Sequence, residues 1–325
     1  MAIIAELILG VEIGGTKLQL GIGTSSGELI EVQQGRVTVA EGGEGIRRWL
    51  KRSIPPFLLS VKQRYGAVKS IGVGFGGPIN SPEGRVLQSI QIAGWRDFPI
   101  RDWFQDTFSL PTTVDNDSNA AAWGEYQLGV GRGCQNFFYT NLGSGVGGGF
   151  VFNGQLYNGQ GYGAGEFGHT YVPDWTKTTP GAVEKIENLC SGWSIEARLN
   201  QPGYIPKTSG LYRQIKTNIS SVTAVELGEF ARAGDDFALA EIDHIAHAIG
   251  VGLANVLSLT NVERIAIGGG VSKLGDLLIM PVRKYVNHYA FVSSKGHYAI
   301  QLCELGEQIV LVGAILLARK RLQSG

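Results

Sequence analysis

Glycine is where this chain departs most from an ordinary protein, and the departure limits how it can fold. It holds 48 glycines in 325 residues, roughly twice the usual share. They follow no three-residue period, which excludes a collagen-like rod. They gather instead at 10–15, 72–77, 143–149, 159–168 and 268–270. Clusters that follow short apolar runs imply strands ending in tight turns.

Two blocks share that design. Leu7 to Val11, Leu18 to Ile22 and Glu28 to Val32 read as strands, with Ser25-Ser26-Gly27 a hairpin turn between the last two. The second block begins at Phe137: an apolar run to Asn141, a glycine-rich turn, Gly149 to Phe152, Asn153-Gly154, then Gln155 to Tyr157. The likeness is one of pattern more than of identity. Between the blocks lie a helical pattern over 45–65, expected to break at Pro55-Pro56, a strand from Ser70 to Phe75 and an alanine-rich helix from Ser118 to Leu128. After the second block, 158–185 reads as irregular. Helices follow, one opened by the capping box Thr223-x-x-Glu226 and one running from Asp236 to Leu259. Ile265 to Ile267 is a strand entering Gly268-Gly269-Gly270, and 310–321 is an amphipathic helix, basic at its end. Alternating strands and helices with a duplicated hairpin unit predict an α/β architecture in two lobes. No linker divides them. The boundary is expected near 115, with 1–115 plus 308–325 as a small lobe and 116–307 as a large one.

Composition excludes other classes. Basic and acidic residues balance at 28 each, so nothing electrostatic calls for nucleic acid or an anionic membrane. Cys134, Cys190 and Cys303 are scattered and odd in number, which argues against a disulfide framework and fits a reducing cytoplasm. Met1 to Leu9 lacks a basic region and contains Glu6, so it reads as a first strand and not as a signal peptide. The apolar stretch from Ile245 to Thr260 reads as too short and too polar to span a bilayer.

Several residues are placed to do chemistry. In Glu12-Ile13-Gly14-Gly15-Thr16-Lys17, glycine amides could approach a phosphate, with Thr16 and Lys17 beside them and Glu12 able to hold magnesium. The spacing is not that of a Walker loop, and alone it is equally a plain hairpin. The run Gly143-Ser144-Gly145-Val146-Gly147-Gly148-Gly149 has more glycine than a hairpin needs, so its backbone should lie close against something. Asp115 to Asn119 crowds polar residues at a helix start. One cap is needed there, and Asp117 is the candidate to accept a proton from an attacking hydroxyl, with Asn116 orienting it. Glu166 and His169 could bind vicinal hydroxyls or simply lie in a solvated loop. His244 and His247 read as residues of a packed helix face.

Taken together these motifs resemble the ROK family of sugar kinases (repressor, open reading frame, kinase), glucokinase-like members of the actin-like ATPase fold. Gly10 to Lys17 resembles the family's first phosphate motif and Gly74 to Ile79 its sugar-side loop. Asn116 to Ala121 resembles the catalytic-aspartate motif, and Leu142 to Gly149 the second phosphate motif. Gly163 to His169 is similar to the signature loop, and Gly268-Gly269-Gly270 to the adenosine-side turn. The resemblance covers nearly the whole chain. It implies ATP and Mg2+ as cofactors and glucose as the leading sugar. Asp117 would be the general base. Gly77, Asn116, Glu166, His169 and Glu187 would bind sugar. Glu12, Gly14, Gly15, Thr16, Lys17, Gly143, Ser144, Gly145, Gly269 and Gly270 would bind nucleotide and its cation. A homodimer is implied too, with no nucleic-acid or membrane partner.

Three departures stand out. Glu12 replaces the usual aspartate, and Gln91 the usual asparagine before Gly94-Trp95. The family's zinc site joins a histidine, here His169, to a cysteine cluster, whereas residues 170–189 contain no cysteine. No structural zinc is therefore expected. The rival expectation is a non-catalytic sugar-binding regulator. Repressors of the family carry a helix-turn-helix ahead of the first phosphate strand, for which there is no room before Leu7.

Overall fold

The computed structural model describes residues 6–89, 92–161, 163, 165–217 and 221–324. Gln91 and Ala164 lie outside them. The chain forms two compact units: Met1–Arg132 with Gly149–Gly165 and Leu305–Gly325, and Gly133–Gly148 with Glu166–Glu304.

In the first unit, β1 (Leu7–Ile13), β2 (Lys17–Thr24) and β3 (Leu29–Arg36) form an antiparallel meander. Helix α1 (Gly42–Arg64) leads to β4 (Val68–Phe75), which lies parallel to β1. A short ladder of β5 (Ile79–Asn80) and β6 (Arg85–Val86), then α2 (Ile100–Phe108), precede β7 (Thr112–Asn116), parallel to β4. Helix α3 (Asp117–Leu128) starts on the next residue. The boundary expected near 115 thus falls inside this unit, at a strand-to-helix turn with no linker.

The chain continues through β8 (Phe137–Leu142), β9 (Val146–Phe152) and β10 (Gln155–Tyr157). Where an irregular stretch is expected, β11 (Tyr171–Pro173) and β12 (Val183–Lys185) pair antiparallel. Five helices follow: α4 (Ile186–Cys190), α5 (Gly192–Leu199), α6 (Gly210–Thr217), α7 (Ala224–Arg232), which has the expected capping box, and α8 (Asp236–Thr260). Then come β13 (Arg264–Gly268), α9 (Asp276–Tyr289) and β14 (Ala299–Leu302). Helix α10 (Ile309–Ser324) returns to the first unit.

The two main sheets have one plan. Their orders are β3-β2-β1-β4-β7 and β10-β9-β8-β13-β14, a hairpin-built edge followed by two parallel strands. The duplication expected from the hairpin blocks is a duplication of whole sheets.

One face of the first sheet carries Leu9, Val11, Ile13, Leu18, Leu20 and Ile22, packed with Ile46, Leu50, Ile54 and Val61 of α1. The other face carries glycine, and this corrects the expectation that the glycine clusters mark only turns. Gly10, Gly21, Gly72 and Gly74 lie inside strands, under α10. A Cβ on Gly10 would stand 2.9 Å from the Leu311 carbonyl oxygen, one on Gly74 2.5 Å from Val310, and one on Gly72 would overlap the Ala314 carbonyl. Gly313 of α10 meets the Ala120 carbonyl of α3 in the same way.

One further expectation fails for a physical reason. Helix α1 runs unbroken through Pro55 and Pro56. Both prolines and the residues four before them, Lys51 and Arg52, are exposed, so water can satisfy the carbonyls that lose a partner. Helix α8 is 25 residues long and, by length and composition, could cross a membrane. It extends beyond the apolar stretch, and its inner face is buried in the second unit against α4, α7 and α9.

Candidate active site

The first unit assembles the residues of the first phosphate motif and the aspartate motif. The β1–β2 turn closes with the Gly14 N–H donating to the Lys17 carbonyl (3.0 Å), and the Gly76 N–H donates to the Ile13 carbonyl (2.8 Å). A Cβ on Gly76 would lie 3.2 Å from Asp117 Oδ2 and 3.5 Å from Gly14 Cα. The glycine turn, the Gly76-Gly77 loop and the Asp117 carboxylate therefore converge. Asp117 is the first residue of α3, and its Oδ1 accepts from the Ser118 N–H at 2.7 Å. Asn116 caps the helix. Its Oδ1 accepts from the N–H groups of Ser118 and Asn119, and its Nδ2 donates to the Gly77 carbonyl at 3.1 Å. It fixes both the helix start and the loop. Behind it, the buried Asp115 accepts from Asn119 (2.9 Å) and Asn158 (3.3 Å); burial holds its carboxyl above the usual range despite those bonds.

Glu12 faces the same region. Burial raises its pKa to about 7, opposed by Lys17 and reinforced by Asp117. Its Oε2 is buried without a hydrogen-bond partner. Lys17 Nζ stands 3.7 Å away, an ion-pair distance, and donates to the Glu307 carbonyl at 3.3 Å. Thr16 is exposed at the turn.

The second unit assembles the other motifs. The Gly143 N–H donates to the Gly145 carbonyl (2.9 Å), and the Gly192 N–H to the Gly143 carbonyl (2.7 Å). The Val146 N–H donates to Glu187 Oε2 at 2.9 Å, and a Cβ on Gly145 would lie 2.7 Å from that oxygen. Glu187, expected at the sugar, thus braces the second glycine turn. The glycine excess there has the same cause, since part of the backbone lies close against the protein's own groups. Gly269, at φ +87°, could not carry a side chain, because a Cβ would stand 2.5 Å from the Leu142 carbonyl; Gly270 is open.

Glu166 and His169 flank a short helical turn on which the His169 N–H donates to the Glu166 carbonyl (3.0 Å). Both side chains are exposed. Lys185 Nζ lies 3.2 Å from His169 Nδ1. An ammonium has only donors, so Nδ1 accepts and Nε2 carries the ring proton. The β11–β12 register, with Lys185 opposite Tyr171, brings the two together. Sequence reasoning missed Lys185; its signal was a cation just before Glu187.

The loop between β11 and β12 is anchored by side chains. Trp175 stacks on His244 of α8 (5.6 Å between ring centroids), with the Arg198 guanidinium 5.1 Å from its ring. Arg198 donates to Glu241 (2.7 Å), as does Tyr204 (2.8 Å). His247 bonds Tyr289 (2.8 Å) on the packed face of α8. Among the described residues no three His, Cys, Asp or Glu gather as a metal-binding group.

Comparison with known proteins gives one family. The model of the ROK family matches residues 8–321. The chain is 32% identical over 315 residues to a glucokinase of Halalkalibacterium halodurans, covering 96% of this chain and 95% of that one. It is also 32% identical over 265 residues to an N-acetylmannosamine kinase of Yersinia pestis, covering 81% and 82%. The crystal structure of a ROK family glucokinase from Streptomyces griseus, in complex with glucose and AMPPNP, superposes with a TM-score of 0.77 at 28% identity, over 97% of this chain and 99% of that one.

Proposed function

The chain belongs to the ROK family, and from that premise we propose that it is an ATP- and magnesium-dependent hexose kinase. It transfers the γ-phosphate to a sugar hydroxyl, with glucose to glucose 6-phosphate as the leading reaction. The observation that carries this is the convergence of Asp117, Gly76 and the Gly14 turn within one unit.

Phosphoryl transfer asks for positioning and charge stabilisation more than for covalent chemistry. Asp117, fixed at a helix start by the Ser118 amide, accepts the proton of the attacking hydroxyl through its carboxylate. Asn116 and the Gly77 loop hold the aspartate in place. Amides of the Gly14–Thr16 and Gly143–Gly145 turns receive phosphate oxygens, and Gly269-Gly270 faces the adenosine. His169 donates from Nε2 to a sugar hydroxyl, alongside Glu166. Glu187 acts through the second phosphate turn.

Glu12 fits a divalent cation, because its buried carboxylate oxygen has no hydrogen-bond partner and only a long ion pair with Lys17, an incomplete set of contacts for a carboxylate. Bound there, magnesium would neutralise phosphate charge. A cytoplasmic homodimer completes the proposal.

The test is ADP release coupled to a panel of sugars. Glucose is expected to turn over fastest, and N-acetylmannosamine is the necessary competitor because a kinase of that name is equally identical. Sugar binding by calorimetry without turnover of any hexose would replace the kinase with a sugar-binding regulator.

A further inference from the structure

Gln19 has no exposed surface, and neither Oε1 nor Nε2 has a hydrogen-bond partner among the described residues. A leucine would fill the same space without burying an unsatisfied amide. Strand register fixes where the amide lies. β1 and β2 pair Glu12 directly with Gln19, so both side chains leave the same face of the sheet, with Cβ atoms about 4.5–5.5 Å apart. That face also carries Gly10 and Gly21, covered by Leu311 of α10. Glu12 Oε2 is likewise buried and unpartnered, and Lys17 comes no nearer to it than 3.7 Å. Three polar atoms on two adjacent side chains are therefore withdrawn from water beside the Gly14–Thr16 turn with no hydrogen bond from the described residues, Glu12 Oε2 keeping only its ion pair with Lys17.

We propose that Glu12 and Gln19 form one seat for the hydrated divalent cation that accompanies the nucleotide. Glu12 supplies the charge. Gln19 accepts from the cation's water shell through Oε1 and steadies Glu12 Oε2 through Nε2. An amide suits this position because it both donates and accepts and adds no second negative charge. Gln19 is thus a positioning residue, and its role rests on the kinase reading of the same site.

The test is calorimetric titration of ADP with excess Mg2+ and, separately, in EDTA, on wild type, Gln19→Leu and Gln19→Ala. Magnesium should tighten ADP binding in wild type. In Gln19→Leu that gain should shrink by about tenfold, the usual effect of removing a group that supports a metal's ligands, while ADP affinity in EDTA stays unchanged. Gln19→Asn, which keeps a donor and an acceptor without adding charge, should retain most of the gain. Thermal melts report folding, and Gln19→Ala serves if Gln19→Leu does not fold. A magnesium gain unaltered in both variants overturns the proposal while leaving the kinase reading intact. So does an equal loss with and without magnesium, which marks a merely structural glutamine. A wild type that binds no ADP in either condition sinks both.

Discussion

Glu12 keeps a carboxylate largely out of water, and the effect has a definite sign. Its pKa rises from 4.5 to about 7 on folding. Between those values the folded chain holds a proton that the unfolded chain has lost, so stability falls as pH rises through the window and the loss is complete above it. Glu12→Gln should therefore raise Tm in EDTA at pH 8 and change it little at pH 5. Equal shifts at both pH values in differential scanning calorimetry would refute the assignment. Asp117→Asn should lower kcat by about 10²–10⁴, the contribution of a general base; near-normal turnover would remove Asp117 from that role. Lys185→Met should raise the sugar KM several-fold, leave the KM for ATP alone and blur the His169 tautomer in ¹⁵N spectra, with Lys185→Arg largely normal. A tautomer unchanged in Lys185→Met would show that Lys185 does not set it. Asp117 and the Gly14 turn were legible in the sequence because their motifs are local. Gln19 was not. In Leu18-Gln19-Leu20 it looks like the solvent side of an alternating strand, and only Gly21 and Gly23 on the same face hint at a covering helix.

At the scale of elements, the strand glycines carry the lesson. A glycine in a turn and a glycine under a helix are alike in sequence, because the helix that requires the second kind lies far along the chain. Gly72→Ala should abolish soluble expression, since its Cβ would overlap the backbone of α10, whereas Gly133→Ala meets nothing and is strained only by its φ of +82°. Similar expression of the two would contradict that packing. Glu187 shows the reverse case: its motif was visible, but its partner, the Val146 amide, depends on how α4 meets the second glycine turn. The β11–β12 loop is held by Trp175, Arg198, Glu241 and Tyr204. Arg198→Ala leaves the Glu241 carboxylate buried without its cation and should cost about 3–5 kcal/mol in denaturant unfolding. A loss under 1 kcal/mol would mean that the pair is dispensable.

For the molecule as a whole, two sheets of one plan account for the two glycine-rich hairpins found at equivalent places in the sequence. Pattern revealed the hairpins; it could not reveal the parallel strands beside them, because these pair across long separations. The missing cysteines are a whole-molecule matter too, since a loop that zinc would tie must be tied by contacts from several helices. Elemental analysis of purified protein should find no stoichiometric zinc, and one zinc per chain would refute this.

The glycine-lined face of the first sheet is complete in sequence by Gly74, yet the helix that covers it begins only at Ile309. On a ribosome adding roughly 5–20 residues per second, that face waits on the order of 10–50 s for its cover. During synthesis the nascent chain thus carries an open groove shaped for a helix. The first half of this protein reaches its final form only after the second half has been made, because α10 belongs to the first unit.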